Sequence, residues 1–226
     1  MNSFIYDLLS ESFFPEVSGL HESNDPKLFS FSGIKGVFGA RGNIIPTKEK
    51  QYVIEFSSPN QPIFFSFISG IKKFLDRKNM INLGEAQFSL KDAKTRKVDI
   101  SAGDILANDA IIALKNKDGK YLFVEDSDWK KTLERNCGRK LQLSGIRNPK
   151  TSEIIKALKI TEQGRYAIPN RIGGKNIVVR GSSVKIEIGK MDEEALEQMG
   201  ILFDCGIGSN TSYGFGFLRK VRSLAP

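Results

Sequence analysis

The sequence predicts an α+β protein built from tandem ferredoxin-like (RRM-like) βαββαβ units, the first lacking its opening strand. Three observations carry this expectation. Toward the amino terminus, helical and strand periodicities follow the order helix, strand, strand, helix, strand. The second half loosely repeats that succession, and 40% hydrophobic content over 226 residues is enough to bury a real core in one large or two small domains. The expected units are residues 1–92 and 93–226.

Phe4, Ile5, Leu8, Leu9 and Phe13 recur at helical spacing, and Phe14 before Pro15 ends the run. Pro15 can open a short second turn that brings Val17, Leu20 and His21 near one face. Phe29 and Phe31 then alternate with Ser30 and Ser32, the period of a half-buried strand. Gly33, Gly36, Gly39 and Gly42 punctuate a loop. Tyr52 to Phe56 reads as a second strand, and Ile63, Phe64, Phe67, Ile68, Ile71, Phe74 and Leu75 mark an amphipathic helix. Ile81 to Leu90 returns as a strand.

Beyond the charged bridge at 91–97, Asp109–Leu114 and Tyr121–Val124 read as a hairpin turning at Asn116–Gly119. Asp126–Leu143 follows as a helix with Trp129, Leu133 and Cys137 on one side. Ile154–Ile160, Ile177–Arg180 and Val184–Ile188 are strand candidates. Residues 191–200 form a helix with Asp192, Glu193 and Glu194 in its first turn and Gly200 at its end, and 215–221 closes the chain as a strand.

The formal charge of +8 points to an anionic partner: nucleic acid, an acidic membrane surface or an acidic protein. The densest basic stretch runs from Trp129 to Lys150, where Lys130, Lys131, Arg135, Arg139, Lys140, Arg147 and Lys150 face only Glu134. A charge run is usually a solvated face, but such imbalance without alternating acids shifts the reading modestly toward a polyanion surface. Cys137 and Cys205 belong to no CxxC pair, so neither a disulfide framework nor a zinc site is expected. With a single histidine, no metal or other cofactor is expected either. The amino terminus lacks a basic n-region, and the longest apolar run is too short for a bilayer, so a cytoplasmic protein is expected.

Gly206–Gly216 (GIGSNTSYGFG) brackets Ser209, Asn210, Thr211 and Ser212 between Gly206 and Gly208 on one side and Gly214 and Gly216 on the other. The stretch reads either as exposed N–H groups facing a phosphate chain or as a long turn whose glycines relieve strain before a last strand. A nucleotide P-loop is excluded, since Phe217 and Leu218 stand where Lys and Ser/Thr are required. A dinucleotide fingerprint fails because Thr211 occupies its third glycine position.

The carboxyl-terminal GIGSNTSYGFGFL resembles the glycine-rich signature of the RAMP superfamily, and its place between a helix and a final strand is similar to that in CRISPR repeat-processing endoribonucleases. The amino-terminal IYDLLSESFFPEVSGLHESNDPKLFSFSGI resembles the same enzymes in its order of an Ile-Tyr pair, a Leu-His pair and PKLFSFS. The resemblance implies a catalytic group of Tyr6, His21 and Lys27. It also implies cleavage of CRISPR precursor RNA within its repeats by attack of the 2′-hydroxyl, without a metal, to give 2′,3′-cyclic phosphate and 5′-hydroxyl ends. His21 would transfer protons, Lys27 would stabilise the phosphorane charge, and Tyr6 would position the 2′-hydroxyl or assist the leaving 5′-oxygen. The loop, with Lys130, Lys131, Arg135, Arg139 and Lys140, would hold the repeat RNA. The alternative is a non-catalytic RNA-binding subunit acting as a guide-RNA scaffold in an effector complex. A third reading is a binder of acidic protein surfaces. The missing opening strand leaves a sheet edge that invites an edge-paired homodimer.

Overall fold

A computed structural model describes residues 2–10, 14, 17, 20, 25–33, 37–38, 44–45, 53–77, 80–83, 86–172 and 175–223, a mixed α/β protein with antiparallel sheets. Helix α1 (Asn2–Ser10) buries Ile5, Leu8 and Leu9 along one stripe. It packs on α2 (Gln61–Asp76), which starts cleanly because the Asn60 side chain accepts from the Ile63 N–H at 3.0 Å and Pro62 needs no helical donor. The two helix backbones come close at Gly70, where a Cβ would lie 2.1 Å from the Leu8 carbonyl oxygen.

The short strand β1 (Ser30–Phe31) runs antiparallel to β4 (Phe56–Ser57), and β2 (Val37–Phe38) pairs with β3 (Ile44–Ile45). Phe29 and Phe31 are fully buried, and Phe56 stacks on Phe67 of α2 with ring centroids 3.8 Å apart. The second strand thus begins at the end of the expected Tyr52–Phe56 run; Tyr52 itself, His21, and Gly36, Gly39 and Gly42 lie outside the described residues. The expected strand Ile81–Leu90 is instead a hairpin, β5 (Met80–Leu83) paired with β6 (Ala86–Ser89). In the sequence the two arms are separated by Gly84-Glu85, a Gly-X pair of the kind that signals a hairpin.

In the second half the element order is β7 (Asp104–Asn108), the small hairpin β8 (Leu114–Lys115) and β9 (Tyr121–Leu122), α3 (Trp129–Leu143), α4 (Thr151–Ala157), β10 (Leu158–Ile172), β11 (Lys175–Ile188), α5 (Glu193–Cys205), a 3-10 turn (Thr211–Tyr213) and β12 (Leu218–Ser223). The sheet order is β10-β11-β7-β12, antiparallel throughout. The helices bury Trp129, Leu133, Leu141, Ile154, Met199 and Leu202 against Leu106, Val184, Ile186 and Ile188 of the sheet. Helix α5 is capped by Asp192, whose carboxylate accepts from the Ala195 N–H at 2.7 Å, with Glu193 and Glu194 at the positive end of its dipole.

Two strand expectations change. Residues 151–157 are helical, because Ile154 and Ile155 gain more by packing into the core from a helix than their β-branched propensity opposes, and the strand begins only at Leu158. The separate candidates at Ile177 and Val184 merge into one long strand, β11, paired along its length with β10. The β10 sequence hides this ribbon behind Gly164 and Pro169; the glycine lies at a bulge in the register, and β10 is an edge strand, where proline is tolerated.

Candidate active site

The glycine-rich loop is a knot of backbone bonds. Its N–H groups at Ile207, Ser209 and Gly216 donate to Gly216, Ala113 and Ile111 carbonyls at 3.1, 2.8 and 2.9 Å. Gly206, Gly208, Gly214 and Gly216 have φ of +71, +85, +86 and +69°, and Asn210 is left-handed at +62°. Space is as restrictive as conformation, since a Cβ on Gly216 would lie 1.8 Å from the Ile207 carbonyl oxygen. Thr211 and Ser212 are buried. Of the two readings open in the sequence, the described hydrogen bonds and burial favour the structured turn: the loop is built into the fold, not spread open toward solvent.

What the loop touches is the amino-terminal half. The Phe31 ring lies 3.0 Å from where a Gly214 Cβ would be, and a Gly206 Cβ would lie 2.9 Å from that of Ser30. Just before the loop, Asp204 clasps β1 and β4: the Ser30 hydroxyl donates to its carbonyl at 3.0 Å, and the Ser57 hydroxyl donates to its carboxylate at 2.6 Å. Burial pushes the Asp204 carboxyl above the ordinary aspartate value, with the Ser57 hydrogen bond opposing.

Tyr6 closes the contact between the chain ends. Tyr6 is 7% exposed and its ring stands edge-on to Phe29, centroids 5.8 Å apart, while the Ser212 side chain lies near enough to its hydroxyl to lower its pKa. Burial raises the Tyr6 pKa, Ser212 lowers it in part, and Tyr213 nearby adds to the rise. Tyr6 is therefore a neutral phenol at physiological pH, able to donate or accept. Lys27 is half-buried just before β1; burial lowers its pKa and Asp25 works against that shift.

The basic helix divides. Lys130, Lys131 and Arg135 are exposed. Arg139 is exposed but reaches Asp25, Nη2 to Oδ1 at 2.6 Å, joining α3 to the segment that bears Lys27. Lys140 departs from the expected phosphate-binding face: it is 1% exposed, and its ammonium donates to the Gly206 carbonyl at 2.7 Å and to the Cys205 carbonyl and Thr211 Oγ1 at 3.4 Å. The reason was visible in the spacing, since Lys140 follows Leu133 and Cys137 by seven and three residues and so shares their buried stripe. The Asp204 clasp had no comparable signal, because its serine partners come from distant strands. Among the described residues no three His, Cys, Asp or Glu side chains are grouped to hold a metal ion, and no helix is long and apolar enough to cross a membrane.

Comparison with known proteins agrees with this architecture. Residues 105–220 match the family "CRISPR associated protein Cas6, C-terminal". Over 98% of its length the chain is 26% identical to a CRISPR-associated endoribonuclease, Cas6 2, of Methanocaldococcus jannaschii, of which 91% is covered. Among solved structures it is similar to a Cas6-related protein of Pyrococcus furiosus (TM-score 0.71, 20% identity, 98% of this chain and 88% of that one). It is also similar to a RAMP protein described as binding different RNA substrates (TM-score 0.70, 19% identity, 98% and 90%).

Proposed function

The chain belongs to the CRISPR-associated Cas6 family of repeat-processing RAMP proteins, and on that premise we propose that it is an endoribonuclease that cuts CRISPR precursor RNA within its repeats. The observation that carries this reading is the meeting of the two chain ends, Tyr6 against Ser212 of the glycine-rich loop. A tyrosine hydroxyl beside a hydroxyl-rich loop is an arrangement that can orient a ribose or a leaving oxygen, and Lys27 is proposed to supply positive charge.

The reaction is a transphosphorylation. The 2′-hydroxyl loses its proton and its oxygen attacks the adjacent phosphorus; the bond from phosphorus to the 5′-oxygen breaks, and that oxygen takes up a proton. His21 is proposed as the group that moves protons, since an imidazole near its ordinary pKa of ~6.5 gives or takes a proton at neutral pH. Lys27 neutralises the phosphorane, and Tyr6 orients the nucleophile or the leaving group. Lys130, Lys131 and Arg135 are proposed as phosphate contacts, and the glycine-rich loop as the element that positions the RNA. The strand order of the second half supports reading it as one ferredoxin-like unit, with residues 1–92 as the other. No metal takes part in this scheme.

The test is single-turnover cleavage of cognate repeat RNA in excess chelator, comparing wild type with His21→Ala. A loss of about 10²- to 10⁴-fold is expected for the variant, the range of general acid–base catalysis. Dependence on magnesium, or an undiminished variant, refutes the assignment. Tight binding without cleavage by wild type would point to a guide-RNA scaffold.

A further inference from the structure

Lys140 is the only buried lysine or arginine among the described residues, and no carboxylate among them lies within ion-pairing distance of its ammonium. An unpaired buried ammonium is costly in an apolar core, and Met or Leu would pack there without that penalty. The neighbouring thiols do not supply a counter-charge: burial keeps Cys205 protonated and pushes Cys137 up to about 12. Burial lowers the Lys140 pKa, and what favours its charged form against that penalty is geometry. An ammonium has three protons, and Lys140 meets three oxygens, those of Cys205, Gly206 and Thr211. The first two are carbonyls at the carboxyl end of α5, where the helix dipole is negative.

These contacts tie the start of the loop and its middle to a single point on α3. Thr211 is the crossing point: its hydroxyl accepts from Lys140, its methyl carbon lies 3.1 Å from where a Gly206 Cβ would be, and its neighbour Ser212 lies beside Tyr6. The loop is therefore gripped from the core side by Lys140 and met from the other side by Tyr6. We infer that Lys140 is a positioning residue of the RNA-cleaving site, its buried ammonium fixing Gly206 and Thr211 in the register that presents Ser212 to Tyr6. The inference rests on the endoribonuclease reading and on Tyr6 belonging to its catalytic group. It assigns Lys140 no contact with RNA.

The experiment is a double-mutant cycle in single-turnover cleavage of repeat RNA, with RNA binding measured in parallel. Lys140→Met is expected to slow cleavage about 10- to 100-fold, the scale of a misplaced catalytic group, while changing the RNA Kd by no more than about 3-fold. In a Tyr6→Phe background the same substitution should add no more than about 2-fold, because the group it positions has already been removed. Thr211→Val, which deletes one acceptor and keeps the side-chain shape, should show the same non-additivity more weakly and serves if Lys140→Met does not fold. In Lys140→Ala, added n-propylammonium should restore part of the lost rate, and tetramethylammonium, which has no N–H donor, should not. Equal losses in the wild-type and Tyr6→Phe backgrounds, or a Lys140→Met rate within about 2-fold of wild type, overturn the inference while leaving the enzyme reading intact. A wild-type protein that cuts no repeat RNA, or a Tyr6→Phe variant as fast as wild type, defeats the underlying reading and the inference with it.

Discussion

Two faces of the same helix put lysine to opposite uses. On the outer face of α3, Lys130, Lys131 and Arg135 stand in solvent; on the inner face, Lys140 is sealed beneath the glycine-rich loop. In the sequence all four belong to one basic run. The difference teaches that charge density identifies an anion-seeking surface only after helical phase has been taken into account, since each residue turns the side chain by a fixed angle. The outer face is replaceable in its details, whereas the inner face and its loop are constrained by backbone atoms on several sides.

The comparison breaks first at Gly216. A substitution to Ala there combines a left-handed φ with a Cβ 1.8 Å from the Ile207 carbonyl oxygen, so the loop must move. A loss of about 3 kcal/mol or more is expected in denaturant unfolding. A loss below about 0.5 kcal/mol, the level of an ordinary surface site, would mean that the loop is not held as described.

A smaller effect, read through pH, sharpens how the loop is clasped to the amino-terminal half. Burial raises the Asp204 pKa in the folded protein, so the folded state holds this proton more tightly than the unfolded chain. The stability it contributes is complete below the ordinary aspartate pKa of ~3.9 and is lost as pH rises through the raised value. Asp204→Asn removes the titration, so its melting temperature relative to wild type should climb from pH 3.5 toward pH 7. A pH-independent difference would show that the clasp does not titrate.

The smallest expected change in stability falls on the outer face. Arg135→Gln should alter stability by less than about 0.5 kcal/mol yet lower the salt dependence of RNA binding by roughly one phosphate contact. An unchanged salt slope would return that face to simple solvation. Lys140→Gln provides the contrast, with stability lost and the slope kept.

Much of this fold was legible because its signals are local. The helical stripes of α1, α2, α3 and α5 and the serine–phenylalanine alternation at β1 are all set by neighbours within a turn or two. The resemblance at the two termini named the family, and Tyr6, His21, Lys27 and Gly206–Gly216 as its marks. Local pattern misread 81–90 and 154–157 because a short apolar run fits a strand, a hairpin arm or a buried helix equally well, and only the surrounding core chooses among them. It also missed β10, whose glycine and proline are acceptable only at a bulge and on a sheet edge.

The sequence by itself determined most of the helical segments and the marks of the family at the two chain ends. Tertiary structure alone decided that the glycine-rich loop is a closed latch, that Asp204 bridges the two halves, and that Ser212 meets Tyr6. The physical reason is separation along the chain. A helix forms from contacts three and four residues apart, whereas the approach of residue 6 to residue 212 depends on every packed layer between them.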